Sequence, residues 1–142
     1  MKRILLALLI GTLSLQASDL WSTNLDDSLK QAATEKRLVL LEFTGSDWCP
    51  PCKKQAQDVF AQPAFEDFAK ANLVPVKIDF PRRSEQSPET QAANEALRKK
   101  YNVDGFPTLI LLDSQGNELA REVGYSGGGV DAFIGWVNKS KK

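Results

Sequence analysis

Trp48-Cys49-Pro50-Pro51-Cys52 constrains this chain more than any other stretch. It holds both cysteines of the 142-residue protein, three positions apart. A strand-like apolar run, Leu38-Val39-Leu40-Leu41-Glu42-Phe43, leads in, and a helix-like run, Lys53 to Phe60, leads out. In the first turn of a helix, positions i and i+3 lie one above the other, near enough for two sulfurs to bond without moving the backbone. Cys49 then falls at the helix N-terminus, where free N–H groups and the positive end of the dipole stabilise a thiolate. The chemistry this predicts is thiol–disulfide exchange. Two plainer uses compete with it: a disulfide that only stabilises the fold, and half of a zinc site. Closing so short a loop removes little unfolded-state entropy. With two cysteines and no histidine, one chain does not easily complete a tetrahedral N/S set.

The N-terminus has a separate layout. Lys2-Arg3 precede an almost unbroken apolar run from Ile4 to Leu15, and Ser14-Leu15-Gln16-Ala17 offers a small residue for cleavage. The run is too short to cross a bilayer as a stable helix and reads as a cleavable signal peptide over residues 1–17. The working domain is then 18–142, periplasmic or secreted, where disulfides form and persist. Losing Lys2 and Arg3 moves the formal charge from zero to about −2. A hydrophobic fraction of 42% and a charged fraction of 25% fit one globular domain with a single core. No long basic run favours nucleic acid, and the lack of histidine removes the commonest general base and metal ligand together.

Along the mature chain, helical spacing covers Asp26 to Lys36, with Leu25, Leu29, Ala32 and Ala33 as the apolar side, acids early and bases late. Leu38 to Phe43 reads as a strand buried on both faces. A helix to about Phe60, a break at Gln62-Pro63 and a second helix from Ala64 to Asn72 follow. Leu73 to Phe80 is a strand, with Pro75 hinting at an edge or a start. Pro81 to Pro88 is a polar loop carrying Arg82, Arg83 and Glu85. Glu89 to Tyr101 is helical, with Ala92, Ala93, Ala96 and Leu97 as its predicted apolar side. Thr108 to Asp113 and Glu118 to Val123 make a hairpin around Ser114-Gln115-Gly116-Asn117. A glycine-rich connection, Gly124 to Gly129, leads to a closing helix, Val130 to Val137. Strands separated by helices, then a terminal hairpin, predict an α/β fold: a central mixed sheet flanked by helices on both faces.

That order, with Trp48-Cys49-Pro50-Pro51-Cys52 after a core strand and Gly105-Phe106-Pro107-Thr108 before the hairpin, resembles the thioredoxin superfamily over essentially the whole mature chain. Phe43-Thr44-Gly45-Ser46-Asp47-Trp48 is similar to secreted bacterial thioredoxin-like proteins related to the reducing domain of the disulfide-reductase membrane transporter. The resemblance implies a thioredoxin fold and a redox-active Cys49–Cys52 disulfide. In it Cys49 is the nucleophile at an exposed helix start, and Cys52 is the resolving thiol one turn inward. It implies a cis peptide bond at Pro107 facing the pair, with the Phe106 backbone free to pair with an extended substrate strand. Trp48 itself reads as a lid beside the disulfide, with packing in the core as the plainer alternative. The resemblance further implies that Glu42 lies behind the cysteines and takes the resolving thiol's proton, although the carboxylate stands one residue further upstream than the family spacing. Asp47 is the rival acid, expected in an exposed loop. The loop 81–88 and the glycines 127–129 depart from a minimal thioredoxin and are candidates for partner choice.

The function expected is a reductase-leaning thiol–disulfide oxidoreductase acting on protein disulfides. Pro50 suits the first helical position. Two prolines between the cysteines remove first-turn N–H donors, and no cation lies between them, so the Cys49 thiolate is only moderately stabilised. No nicotinamide, flavin or haem motif is present, so no cofactor and no metal is expected, and electrons would come from a membrane thiol donor. The chain is expected to be a monomer. A dithiol oxidase is the nearest alternative, and a non-catalytic thioredoxin-like binding module the alternative of a different class.

Overall fold

The computed structural model describes residues 19–141; the signal peptide read at 1–17 lies outside them. Strand β1 (Leu38–Thr44) is the centre of the molecule. It pairs in parallel with β2 (Leu73–Asp79) and antiparallel with β3 (Thr108–Leu112). The hairpin strand β4 (Glu118–Val123) completes a four-stranded mixed sheet of order β2-β1-β3-β4.

Flanked on both edges and covered on both faces, β1 is apolar almost throughout because neither face meets water. Val39, Leu41 and Phe43 point to one side, where they join Leu25, Ala32, Ile110 and Leu112. Leu40 points to the other, with Val59, Phe65, Leu109, Leu111 and Phe133. Leu40, Leu41 and Phe43 are fully buried, each worth about 2 kcal/mol of transfer free energy. Helix α1 (Leu25–Glu35) covers the first side. Helices α2 (Pro50–Gln55), α3 (Pro63–Asn72) and α5 (Gly129–Ser140) cover the second. Helix α2 runs straight into a π-helical turn, Ala56–Phe60, which the sequence pattern does not distinguish from ordinary helix.

Pro75 is accommodated because β2 is an edge strand. Its carbonyl accepts from the Ser22 amide at 2.9 Å, so the missing N–H falls on the outer side and no ladder bond to β1 is lost. Trp21, beside that bridge, packs its ring 5.1 Å from Phe60 and 5.8 Å from Phe65.

Three expectations need correction. Helix α1 has no base in its last turn: Lys36 instead adopts the left-handed C-cap conformation, and Ser28 rather than Ala33 is buried. Helix α4 (Pro88–Lys100) leaves Ala92, Ala93 and Ala96 exposed. Its inward contacts are Leu97 and the buried Asn94, whose Nδ2 donates to the Asp79 carbonyl at 2.9 Å. A hydrogen bond to the end of β2, and not an alanine stripe, therefore sets the rotation of α4. Third, α5 starts at Gly129 and runs on to Ser140, past the predicted Val137; the chain enters it through Gly127, Gly128 and Gly129, which all hold positive φ, a path that side chains other than glycine resist.

Candidate functional site

Leaving β1, the chain makes a turn over Gly45-Ser46-Asp47-Trp48 and enters α2. Cys49 is the N-cap of that helix, Pro50 and Pro51 are its first two residues, and Cys52 is the third. The Cys49 and Cys52 sulfurs are bonded, with Cα atoms 5.3 Å apart. Pro50 and Pro51 have no N–H, so of the first three helical positions only Cys52 brings a donor. Cys49 is not exposed as expected. In this disulfide form it is only 3% accessible and Cys52 2%. The Phe106 carbonyl oxygen lies 3.8 Å from the Cys49 sulfur, and the Phe106–Pro107 peptide bond is cis. The turn is fixed from both sides: Thr108 Oγ1 donates to the Gly105 carbonyl at 2.8 Å, and the Gly124 amide donates to the Pro107 carbonyl at 2.7 Å.

Trp48 is half-buried beside the disulfide. Its Nε1 donates to the Phe80 carbonyl at 2.7 Å and its ring meets Phe106 edge to face, 6.2 Å between centroids. Phe80 in turn stacks on Phe106 at 4.9 Å. Gly45 permits this arrangement, since a Cβ there would stand 2.5 Å from the indole.

Glu42 is 2% accessible. Alternation puts it on the face of Leu40, the side where Gln55 of α2 lines one cavity with Val59 and Leu109, so the extra residue before Cys49 has not moved it off that face. It lies between Lys77 on β2 and Leu109 on β3, and Leu109 is followed across the sheet by Glu122 on β4. Burial pushes the Glu42 carboxyl up to about 7, with Lys77 opposing the shift and Asp79 adding to it. Its Oε2 has no hydrogen-bond partner. Lys77 does not ion-pair with it among the described residues; its ammonium sits 5.1 Å from the Trp21 ring centroid. A buried carboxyl that is half protonated near neutrality, on the side of the sheet facing the helix of Cys52, is equipped to exchange a proton with a thiol.

Asp47 is not a free loop acid. Its Oδ1 accepts from the Arg82 amide, and its Oδ2 from the Arg83 and Ser84 amides, all at 2.9 Å, with Ser84 Oγ donating at 3.3 Å. The Arg82 amide, then those of Ser84 and Arg83, hold its carboxyl down at about 2 against a desolvation cost. The Ser46 amide likewise donates to Asp79 at 3.0 Å. Sequence reasoning missed this fastening of the 81–88 loop to the cysteine turn; a lone acid between Ser46 and Trp48 carries no local sign of it. It also missed Gln55, buried one turn after Cys52 with an unpartnered Oε1.

A bonded pair of cysteines three apart at the head of a helix, delivered there by the central strand of a β2-β1-β3-β4 sheet, defines a disulfide oxidoreductase of the thioredoxin type. The model of the thioredoxin-like domain family matches residues 25–139, and the chain belongs to that family. It is 33% identical to the disulfide bond reductase DsbH of Chlamydia pneumoniae, over 92% of this chain and 78% of that protein. It is also 33% identical to the thiol:disulfide interchange protein DsbD of Haemophilus influenzae (strain ATCC 51907 / DSM 11121 / KW20 / Rd), over 66% of this chain but only 15% of that larger protein. Among solved structures, a DsbH oxidoreductase superposes with a TM-score of 0.78 at 30% identity, covering 99% of this chain and 93% of the other.

Proposed function

We propose that this chain reduces disulfide bonds in proteins outside the cytoplasm. The observation that carries the reading is the bonded Cys49–Cys52 pair at the head of α2, with the Phe106 carbonyl 3.8 Å from the Cys49 sulfur. Starting from the dithiol, the Cys49 thiolate attacks one sulfur of the client disulfide and the other leaves as a thiolate. The Cys52 thiol gives its proton to Glu42 and attacks the Cys49 sulfur, releasing the second client thiolate and closing the Cys49–Cys52 bond. Two electrons pass to the client, and the protein ends oxidised. Trp48 and the Phe106-Pro107 turn receive the client segment, the Phe106 backbone pairing with it as an added strand.

Three features support the reducing direction and the compartment. Prolines at the first two positions of α2 leave the Cys49 thiolate few helix donors. DsbH of Chlamydia pneumoniae, over most of this chain's length, bears the name of a disulfide bond reductase. Residues 1–17 read as an export signal. A reductase in that compartment is re-reduced by a dithiol donor in the membrane, and this one works as a monomer on protein clients, not on nucleic acid.

The test is the redox equilibrium of the Cys49–Cys52 couple against glutathione, with a Cys52→Ser variant to trap mixed disulfides. A couple that glutathione scarcely reduces, with client proteins held on Cys49, is the result expected. A couple that glutathione reduces readily would assign the protein to dithiol oxidation. No trapped client at all would favour a binding module.

A further inference from the structure

The loop after β2 places a positive charge at the active-site rim that the cysteine motif itself lacks. The Arg82 guanidinium carbon stands 3.5 Å from the Trp48 ring centroid, a face-on stacking contact. Neither partner is free to drift. The Trp48 indole is anchored through Nε1 to Phe80, and the Arg82 backbone is anchored through its amide to Asp47. No carboxylate neutralises the guanidinium among the described residues: Glu85 and Glu95 line the same cleft as Arg82 but form no ion pair with it, and Glu95 is held by Arg98. Asp47 faces the backbone amides of residues 82–84, Asp79 faces Ser46, and Arg82 forms no ion pair among the described residues. Stacking occupies one face of the guanidinium and leaves its N–H edges open to solvent, in the planar fork that matches a carboxylate.

We propose that Arg82 is a specificity-determining residue: it selects client disulfides whose cysteine is flanked, within a few residues, by an aspartate or glutamate. This rests on the reductase reading above. The path is continuous on the surface, from the Arg82 guanidinium to the Trp48 ring, then to the Phe106 ring and the Phe106 carbonyl beside the Cys49 sulfur. A client strand pairing with Phe106 advances about 3.3 Å per residue. The Arg82–Trp48 contact of 3.5 Å and the Trp48–Phe106 contact of 6.2 Å together span about three residues of such a strand, which brings a side chain a few positions from the client's cysteine within reach of the guanidinium. Arg83, the next residue, is also exposed but stacks on no ring and serves as the control for charge alone.

The test uses reduced full-length protein and two cystine peptides, identical except for Glu or Gln near the cysteine. Exchange is followed by Trp fluorescence in stopped flow, and the readout is the Glu-to-Gln ratio of rate constants. Wild type should prefer the Glu peptide about three- to fivefold at low salt, the size of an exposed but oriented ion pair. The ratio should fall towards one as salt is raised. In Arg82→Gln it should drop to about one, and in Arg82→Glu below one, whereas Arg83→Gln should keep most of it. A lost fold would also bring the ratio to one, so each variant is first shown to keep the wild-type urea midpoint, and the reversal in Arg82→Glu is the outcome that unfolding cannot produce. A wild-type ratio of one, or an equal loss in the Arg82→Gln and Arg83→Gln variants, overturns the proposal. Failure to reduce even the Gln peptide removes the reductase reading and this proposal with it.

Discussion

Glu42→Gln is the substitution with the most to say about the site, because it keeps the side chain's shape and removes its titration. Glu42 titrates near 7 in the folded chain against an ordinary value of 4.5. The folded chain thus holds a proton that the unfolded chain releases. The associated stability is fully present below about pH 4.5 and is lost as pH rises through about 7. A shift of that size at about 1.4 kcal/mol per pH unit corresponds to roughly 3 kcal/mol. Asp47 and the other paired carboxylates act in the opposite sense at lower pH, so the quantity to measure is the difference between wild type and variant. Urea unfolding of the two oxidised proteins from pH 4 to pH 8 should show wild type losing about 3 kcal/mol relative to Glu42→Gln, most of it between pH 5 and pH 7.5. In single-turnover reduction, the variant should also lose the inflection near pH 7. Without a base for the Cys52 thiol, its resolution step should slow on the order of a hundredfold. A difference in stability that stays flat across this range would mean that Glu42 is hydrated and titrates normally, and the proton-transfer assignment would go with it.

Two further substitutions probe the turn that carries the cysteines. Asp47→Ala removes the shared acceptor of the Arg82, Arg83 and Ser84 amides; hydrogen exchange at those three amides should speed up by on the order of tenfold while the core strands stay protected. Because the Asp47 carboxyl titrates at about 2, the latch should hold in wild type well below pH 4 and weaken only as pH falls towards 2; slow exchange in the variant would show that the loop is held by something else. Gly45→Ala puts a Cβ 2.5 Å from an indole already anchored to Phe80, and overpacking of that kind should cost about 1–3 kcal/mol in a urea titration. An unchanged midpoint would mean that Trp48 swings aside freely.

What could be read from the sequence divides along a physical line. The order of elements, the central strand and the cysteine pair were legible because local pattern decides them. Leu38 to Phe43 has no polar position to spare except Glu42, and Pro50 marks the helix start. Contacts that join distant segments were not legible. Nothing near Asp47 announces that it receives three amides some 35 residues on, and nothing near Asn94 announces a bond to the Asp79 carbonyl. Ala92, Ala93 and Ala96 formed a plausible apolar side for α4, but alanine gains little from burial, and one buried hydrogen bond outweighs it in setting the helix rotation. The accessibility of Cys49 was misjudged for a related reason. A helix start is open in isolation, and here the Phe106 turn, distant in sequence, sets its carbonyl 3.8 Å from the Cys49 sulfur and leaves the residue buried.

The apparent misplacement of Glu42 has the same origin and a definite resolution. An extra residue between the acid and the first cysteine has to be absorbed either by the strand or by the turn. Slipping the strand by one position would turn Leu40 and Glu42 to the side of α1 and Leu41 and Phe43 to the side of α2, exchanging two packed faces at once. β1 is held in register by β2 through seven residue pairs and by β3 through five, so the turn gives way instead. The turn, Gly45-Ser46-Asp47, carries two polar side-chain residues, and both are engaged: Ser46 with Asp79, and Asp47 with the amides of residues 82–84. The residue that disturbs the spacing thus fastens the loop bearing Arg82 to Trp48, while the acid stays on the face of the sheet where the Cys52 helix lies.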